Sequence, residues 1–434
     1  MSRLQPVTKL LTPGIGVKRW LLLGFTGIML IAASLAFAGL VIIGNHPITN
    51  LQPASEWGLI AAAAVFGFAL VGLAFMRLSR SLLAPYRRNQ QGRVLDVVYA
   101  HNKRQKGLKV AVIGGGTGLP SVLRGLKQYT SNITAVVTVA DDGGSSGRLR
   151  REMGVLPPGD LRNNIAALAD DESLMTRLFQ YRFNTTGELG GHAFGNLFIT
   201  ALAGVTGSIE SALIETERVL NIQGRVLPAT LEDVNLSALI RLPGSNRLIL
   251  VNGESEITET GGQIETLQLT PPDAQAYEES VHAILDADLV VIGPGSLFTS
   301  ILPNLLVRGV AEALRATSAY KIYVCNVATQ PGETDNFSVA EHVLALEQHI
   351  GRGVFQAVLA NNSYPRENAG SHTHYVPSAP AHHEILQRYE VRYADLTDTE
   401  RPWRHDCQKL TGAILQLNEQ ERLGSATKPA FTES

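Results

Sequence analysis

The stretch Val110-Ala-Val-Ile-Gly-Gly-Gly-Thr-Gly-Leu-Pro120 decides how this chain folds. Its apolar start predicts a buried strand. The three glycines that follow let the backbone turn sharply and approach a ligand closely, because no Cβ is in the way. Pro120 then stands near the start of a predicted helix, where its missing N–H costs nothing. A strand, a glycine loop and a helix N-terminus together predict an anion site, since free N–H groups and the positive helix end point at one spot.

The glycine spacing leaves the ligand open. The third glycine of a dinucleotide fingerprint would fall one position later, and no Gly-Lys-Ser/Thr of a P-loop follows. The loop therefore predicts phosphate or nucleotide binding, with a tight turn that holds no ligand as the alternative. The candidate ligand residues here are Gly114, Gly115, Gly116, Thr117 and Gly118.

An acidic turn follows the next predicted strand, residues 132–140. Ligands of open α/β sheets collect outside the carboxyl ends of the strands, so this turn should face the first glycine loop. Asp141 or Asp142 could take ribose hydroxyls, or the pair could hold Mg²⁺ with a substrate phosphate. The turn also offers hydrogen-bond donors and a phosphate partner in Gly143, Gly144, Ser145, Ser146 and Arg148. A flexible Gly/Ser turn is the alternative.

Two later segments add polar candidates. Asp160 is expected to be a helix N-cap, and Arg162 and Asn163 beside it are candidates for ligand contact. His192 is either a general acid/base or a cap residue, and Asn196 is the favoured polar ligand group near it. No Cys, Asp or second His stands at ligand spacing from His192, so no metal is assigned there.

A second strand-to-glycine unit begins at Asp288 and ends in Gly293-Pro-Gly-Ser296. Its loop repeats the anion-site chemistry of the first, which makes Gly293, Gly295 and Ser296 candidates. Thr329 and Gln330 follow the next strand and could read a base or a sugar. Two such loops with an acidic turn between them predict one convergent site.

The alternation of strands and helices predicts an α/β fold that is Rossmann-like, with a mostly parallel sheet and helices on both faces. Residues 222–271 break into short strand-like runs, among them Val226-Leu-Pro228 and Glu256-Ile-Thr258, and predict a small β insertion. The predicted domains are a membrane hairpin with a basic linker (1–106), a nucleotide-binding domain (107–421) and a disordered tail (422–434).

The first hundred residues predict two transmembrane helices. Residues 20–43 and 57–76 carry no charge, and each run is long enough to cross a bilayer core of about 30 Å. Five arginines between Arg77 and Arg93 follow the second run, whereas residues 44–56 contain no Lys or Arg. The positive-inside rule then places both termini and the main domain in the cytoplasm, as a two-span protein of the cell membrane. A buried hairpin of a soluble protein is the alternative.

Charge and cysteine content bound the function. The net charge of −2 conceals an uneven distribution of charge. Residues 1–109 contain 13 Lys/Arg and 2 acidic residues, whereas the rest of the chain contains 24 basic and 37 acidic residues. An acidic main domain excludes a general nucleic-acid binder, which needs a basic face. Two cysteines are too few for a disulfide framework and fit a reducing compartment.

Six motifs, taken in order, resemble the gluconeogenesis factor (YvcK) branch of the 2-phospho-L-lactate transferase (CofD) superfamily. The resemblance covers roughly Leu108 to Leu417. The motifs are Gly114–Gly118, Val137–Arg150, Pro157–Asn163, Gly191–Asn196, Gly293–Ser300 and Asn326–Thr334. The long Asp-Asp-Gly-Gly-Ser-Ser-Gly-Arg signature is similar to that of the gluconeogenesis factor branch. The membrane hairpin is not part of the usual family pattern.

The resemblance implies a cleft for a nucleotide-containing ligand. The gluconeogenesis factor branch binds UDP-sugars, notably UDP-N-acetylglucosamine, and is linked to cell shape, envelope synthesis and carbon metabolism without an established reaction. The transferase branch moves a phospholactyl group from a guanosine diphosphate donor onto a deazaflavin, with Mg²⁺. Arg404 resembles a family position implicated in UDP-sugar binding.

We therefore expect a membrane-tethered UDP-sugar-binding regulator rather than an enzyme. The alternative is a Mg²⁺-dependent phospholactyl-type transferase, with Asp141 and Asp142 as metal ligands and these two or His192 as catalytic candidates. No cofactor or metal is assigned with certainty, and a homo-oligomer stays open.

Overall fold

A computed structural model describes residues 18–44, 53–83, 104–169, 174–244, 247–365 and 374–426. The chain divides into two compact units, residues 1–100 and 101–434.

In the first unit, helices α1 (Lys18–Gly44) and α2 (Pro53–Leu83) pack against each other. They contain two segments long and apolar enough to cross a membrane, Arg19–Ile42 and Trp57–Leu78. The helices approach each other closely at Gly27 and Gly67, where an added Cβ on either glycine would lie 2.8–2.9 Å from the other's carbonyl oxygen. Small residues permit such close packing of membrane helices.

Two arginines lie against Trp20 at one end of this hairpin. The guanidinium carbons of Arg19 and Arg77 lie 5.1 and 5.4 Å from the ring centroid of Trp20, within cation–π range. The predicted basic linker after α2 falls on residues 84–103, outside the described residues.

The second unit is built on a seven-stranded parallel sheet in the order β10-β9-β8-β7-β1-β2-β3. Its strands are β1 Val110–Gly114, β2 Ile133–Val137, β3 Arg225–Pro228, β7 Leu289–Ile292, β8 Tyr320–Val324, β9 Ala357–Asn361 and β10 Glu390–Ala394. Every residue of β1 and β7 is buried, as expected for parallel strands covered on both faces. The α/β, Rossmann-like fold predicted from the sequence is confirmed.

The strand order reverses at β1, which fixes where a ligand can enter. The chain adds β2 and β3 on one side of β1 and then returns to add β7 on the other. At such a switch point the connections leave in opposite directions and open a crevice at the carboxyl ends of the strands. The first glycine loop therefore lies where this fold class binds its ligands.

Helices surround this sheet. Those between β1 and β7 are α3 Leu119–Leu126, α4 Gly144–Met153, α5 Pro158–Leu168, α6 Leu174–Gln180, α7 Phe194–Thr206, α8 Ile209–Leu220, α9 Glu254–Thr260 and α10 Glu278–Leu285. After β7 come a π-helical turn at Leu297–Ile301, then α11 Leu302–Leu306, α12 Val310–Ala316, α13 Val339–Ile350, α14 Ile385–Arg388 and α15 Cys407–Ala426.

A small antiparallel sheet in the order β5-β4-β6 forms within the predicted insertion (β4 Asn235–Arg241, β5 Leu248–Asn252, β6 Gln263–Thr270). Two of the runs that the sequence assigned to this insertion were assigned wrongly. Residues 226–228 instead belong to β3 and pair with β2 in the main sheet, because a short apolar run suits either sheet. Residues 256–258 are helical, in α9, whose first turn is acidic as helix N-termini favour.

The predicted tail is also corrected. Helix α15 continues through Ala426, so residues 422–426 are helical rather than disordered. Residues 427–434 lie outside the described residues.

Candidate functional site

A cavity of about 490 Å³ lies at the carboxyl ends of β1, β7 and β8. It is lined by both glycine loops, by the segment after β8 and by the segment between β10 and α15. A larger cavity of about 830 Å³ lies at the opposite edge, near Lys109, Val110 and Ile133, where β1 and β2 begin. That edge carries no glycine loop, and ligands of open α/β sheets bind at the carboxyl ends of the strands. The smaller cavity is therefore the candidate site.

The first glycine loop presents open amides to this cavity. Gly116 has φ +62°, which favours glycine, and its N–H donates to Asp160 Oδ2 at 2.7 Å. The amides of Thr117 and Gly118 have no hydrogen-bond partner among the described residues. Both residues line the cavity. Two free amides at the start of α3 can therefore receive an anion.

The two glycine loops pack directly against each other. A Cβ added at Gly118 would lie 2.7 Å from the carbonyl oxygen of Pro294 and 2.9 Å from Gly295 Cα. Pro294 follows a cis peptide bond. Asn326 holds the second loop from β8: it accepts from the Gly295 N–H at 3.1 Å and donates to the Gly295 carbonyl at 2.8 Å.

The second glycine loop is filled by a carboxylate of the protein itself. Ser296 caps the following helix by accepting from the Thr299 N–H at 3.2 Å. Its hydroxyl donates to Glu333, which also receives the Thr299 hydroxyl at 3.2 Å and the amides of Phe298 and Thr299. Burial raises the pKa of Glu333, while these donors act in the opposite direction. Sequence reasoning missed Glu333, although it stands three residues after Gln330 at a strand's carboxyl end.

Three arginines form a cationic wall of the cavity. They are Arg124 of α3 and Arg401 and Arg404 between β10 and α15. Their guanidinium groups have no hydrogen-bond or ion-pair partner in the described part of the chain. The sequence reasoning singled out only Arg404, through the family resemblance, and not Arg124 or Arg401.

Acidic side chains converge beside the cavity. Burial, together with the charges of Asp141, Asp160, Asp142 and Glu333, raises the pKa of Glu254 to about 9. Glu254 lines the cavity. Because its pKa is raised to about 9, its carboxyl group keeps its proton at neutral pH when no cation is near. The sequence reasoning did not recognise Glu254 as a candidate, because it stands just before residues 256–258, which were predicted as a strand.

Asp142 and Asp141 have separate roles within this cluster. Asp142 Oδ1 accepts from the Ser255 N–H at 3.0 Å and from its hydroxyl at 2.8 Å, and thereby ties the small sheet's helix α9 to the acidic turn. Asp141 Oδ1 accepts from the Gly143 N–H at 2.9 Å, and burial raises the pKa of Asp141. Among the described residues, no group of three or more His, Cys, Asp or Glu is arranged to hold a metal ion. Mg²⁺ at Asp141 and Asp142 stays a prediction.

Asp160 does not act as the N-cap that the sequence predicted. The cap of α5 is Pro157, and Asp160 lies in the first turn. Its carboxylate reaches Gly116 instead, because the glycine loop packs against this turn. Burial raises the pKa of Asp160 to about 6.

The remaining candidates form a polar network on the β2 side of the site. Ser145 Oγ lies 2.9 Å from His192 Nδ1 and accepts from Asn196 Nδ2 at 2.9 Å, and all three residues are buried. Burial and the nearby Arg148 lower the pKa of His192, which keeps the ring neutral. Arg148 donates to the Gly190 carbonyl at 2.6 Å.

Arg162 belongs to the same side and donates to Asn163 Oδ1 at 2.6 Å. Burial and Arg182 lower the pKa of Arg162 to about 10.

The structure divides the predicted site residues into those that line the cavity and those that do not. The predicted residues that line the cavity are Gly116, Thr117, Gly118, Gly295, Ser296, Thr329, Gln330 and Arg404. Those outside its lining are Gly114, Gly115, Asp141, Asp142, Gly143, Gly144, Ser145, Ser146, Arg148, Asp160, Arg162, Asn163, His192, Asn196 and Gly293.

Comparison with known proteins identifies the family of this chain. The sequence model of the 2-phospho-L-lactate transferase CofD family matches residues 110–398. The gluconeogenesis factor of Bacillus subtilis is 50% identical over 309 residues, 71% of this chain and 89% of that protein. A relative from Nostoc sp. (strain PCC 7120) is 45% identical over 94% of this chain and 92% of its own length, a span that includes most of the hairpin.

Solved structures show the same fold. A crystal structure of a UPF0052-family protein from Bacillus halodurans is 40% identical, with a TM-score of 0.66. It covers 71% of this chain and 99% of its own chain. The chain therefore belongs to the CofD family and, within it, to the gluconeogenesis factors.

Proposed function

We propose that the cavity binds the diphosphate of a UDP-sugar, with UDP-N-acetylglucosamine as the ligand. The observation that carries the proposal is the pairing of open amides with unpaired cations. Thr117 and Gly118, whose amides have no partner among the described residues, line one cavity together with Arg124, Arg401 and Arg404. Helix N-terminal amides and arginines are the groups that proteins use for phosphate oxygens.

The other cavity residues suit the neutral parts of such a ligand. Asn326, Thr329 and Gln330 offer amide and hydroxyl groups to a sugar or a base. Glu254, protonated at neutral pH, can donate to a hydroxyl without repelling the diphosphate. A volume of about 490 Å³ lies within the range of pockets for ligands of this size.

Regulation by ligand binding suits this cavity better than catalysis. The two carboxylates of its described lining are Glu254 and Asp398. Asp398 accepts from the backbone N–H groups of Glu400 and Arg401 at 3.0 and 2.8 Å. Glu254, whose pKa is raised to about 9, holds its proton at neutral pH, and the carboxylate of Asp398 is engaged by these two amides. Neither is therefore placed as a general base. The neutral His192 lies outside the cavity lining.

We further propose that the hairpin tethers this domain to the cytoplasmic face of the cell membrane, where it acts on envelope synthesis, cell shape and carbon metabolism. The apolar helices α1 and α2 and the basic flank after them support this orientation. Replacing the five arginines from 77 to 93 with Gln should disturb the topology, as measured by protease protection in membrane vesicles. An unchanged protection pattern would contradict the proposed orientation.

Calorimetry on the full-length protein in detergent tests the ligand. We expect UDP-N-acetylglucosamine to bind, and Arg404→Gln to weaken binding about ten-fold or more, because a charge-assisted hydrogen bond contributes about 1.5–3 kcal/mol. Arg218→Gln is the matched control, since Arg218 pairs with Glu215 on the exposed face of α8. Absence of binding by any UDP-sugar at millimolar concentration would reject the proposal.

Phospholactyl-type transfer from a nucleotide diphosphate donor is the second candidate, favoured by the family match and by the acidic side chains beside the cavity. It predicts Mg²⁺-dependent turnover that Asp142→Asn abolishes. Ser255→Ala is the control, because it removes the Asp142 contact to the α9 side chain but keeps the carboxylate. Turnover lost equally in both variants would assign Asp142 a structural role.

A further inference from the structure

We infer that Trp403 is the platform on which the base of the bound nucleotide stacks. This inference rests on the proposed function and goes beyond it, because it assigns a place to the base, which the phosphate contacts leave free. Trp403 lines the cavity and is half-buried. Every nucleobase has a π-face that can lie on an indole ring.

The composition of the cavity lining singles out this residue. The aromatic side chains of the described cavity lining are those of Trp403 and His405. His405 is already engaged, since its Nε2 lies 3.3 Å from the Cys325 carbonyl oxygen. The indole of Trp403 has neither a ring contact nor a hydrogen-bond partner among the described residues. A tryptophan that only packed the core would be buried against its neighbours, as Phe179 is against Phe198 at 5.8 Å.

The segment that carries Trp403 is held in place by hydrogen bonds. The Arg404 N–H donates to the Arg401 carbonyl at 2.8 Å, and the Asp398 N–H donates to the Arg404 carbonyl at 2.9 Å. His405 fastens the turn to the end of β8 through Cys325, and burial lowers the pKa of His405 to about 4, so this contact is that of a neutral ring. An indole presented by a fixed turn loses little further freedom when a base stacks on it.

The neighbours of Trp403 connect the platform to the phosphate site. Arg401 and Arg404 flank it in the same turn, and their guanidinium groups are unpaired in the described part of the chain. Val327, Ala328 and Pro331 supply apolar surface in the same cavity. Cations for a diphosphate thus stand beside an aromatic face for a base, as the order of groups in a nucleotide requires.

Intrinsic fluorescence isolates this residue, because Trp20, Trp57 and Trp403 are the three tryptophans of the chain. In the full-length Trp20→Phe, Trp57→Phe protein in detergent, all tryptophan emission comes from Trp403. Titration with UDP-N-acetylglucosamine should quench that emission with the dissociation constant found by calorimetry. Inorganic pyrophosphate, which has no base, should bind without this quenching.

Two variants separate stacking from folding. Trp403→Ala should weaken UDP binding about ten- to hundred-fold and leave pyrophosphate binding unchanged, since a stacked base contributes about 1–3 kcal/mol. Trp403→Phe should retain most of the affinity because it keeps a ring. Equal UDP affinity of Trp403→Ala and wild type, or an equal loss for UDP and pyrophosphate, would overturn the platform while leaving the proposed function in place. Absence of UDP-sugar binding by wild type would overturn both.

Discussion

The two glycine loops read alike in the sequence and differ in the structure. Each follows a buried strand and precedes a helix. In Gly114–Gly118 the amides of Thr117 and Gly118 stay open to the cavity, whereas the helix that follows Gly293–Ser296 gives its first amides to Glu333. A glycine loop at a helix N-terminus therefore predicts amides that attract an anion, but not whether the anion is a ligand or a side chain of the protein.

This difference also changes how the site is built. The second loop is a wall of the cavity, in which Asn326 takes the Gly295 amide and Glu333 receives the hydroxyls of Ser296 and Thr299. The diphosphate is left to the first loop and to the arginines, two of which come from the segment between β10 and α15. Three predictions test this division of roles, and we describe them in order of expected effect.

The largest effect is expected where the loops touch. Gly118→Ala places a Cβ 2.7 Å from the Pro294 carbonyl oxygen, so the loops must separate. We expect loss of UDP-N-acetylglucosamine binding and a stability loss of about 1–3 kcal/mol, measured by calorimetry and thermal unfolding. Gly295→Ala is the matched control across the same contact, because its Cβ would lie 3.2 Å from the Gly115 carbonyl oxygen. Equal behaviour of the two variants would contradict this account of the contact.

A smaller effect is expected from emptying the second loop. Glu333→Ala leaves the Phe298 amide and the Ser296 hydroxyl without their acceptor and takes one of two acceptors from the amide and hydroxyl of Thr299, which costs about 2 kcal/mol of stability. The freed amides should then bind an anion, so sulfate should raise the melting temperature of this variant more than that of wild type. The exposed Glu384→Ala serves as control. If sulfate affects all three proteins equally, the loop is not filled by Glu333.

The smallest effect concerns Glu254 and pH. Its pKa in the folded protein is raised from 4.5 to about 9, so the folded state keeps a proton that the unfolded state loses. The associated stability is present below pH 4.5 and declines as the pH rises toward 9. Glu254→Gln removes this decline and should be more stable than wild type at pH 7, with the difference growing as the pH rises toward 9.

Thermal unfolding between pH 5 and pH 9 measures this difference. Glu259→Gln on the exposed side of α9 is the control, since it removes an acidic group from the same helix away from the cavity. Parallel pH profiles for wild type and Glu254→Gln would show that Glu254 is ionised in the folded protein.

Much of the molecule followed from local sequence. Apolar runs ending in glycine gave β1 and β7, and alternation of elements gave the Rossmann-like sheet. The same reasoning failed at residues 226–228, where only pairing with β2 decides which sheet the strand joins. It failed at Asp160, whose role depends on a glycine 44 residues earlier rather than on its own helix.

The sequence by itself determined the apolar helices, the strand-to-glycine units and the family, because these are set by periodicity, by backbone freedom and by ordered motifs. Tertiary structure alone decided which anion site is open. Glu333 reaches Ser296 across 37 residues, and Arg401 and Arg404 join a loop almost three hundred residues away. Such partners are chosen by the packing of the strands at one edge of the sheet, which no local pattern encodes.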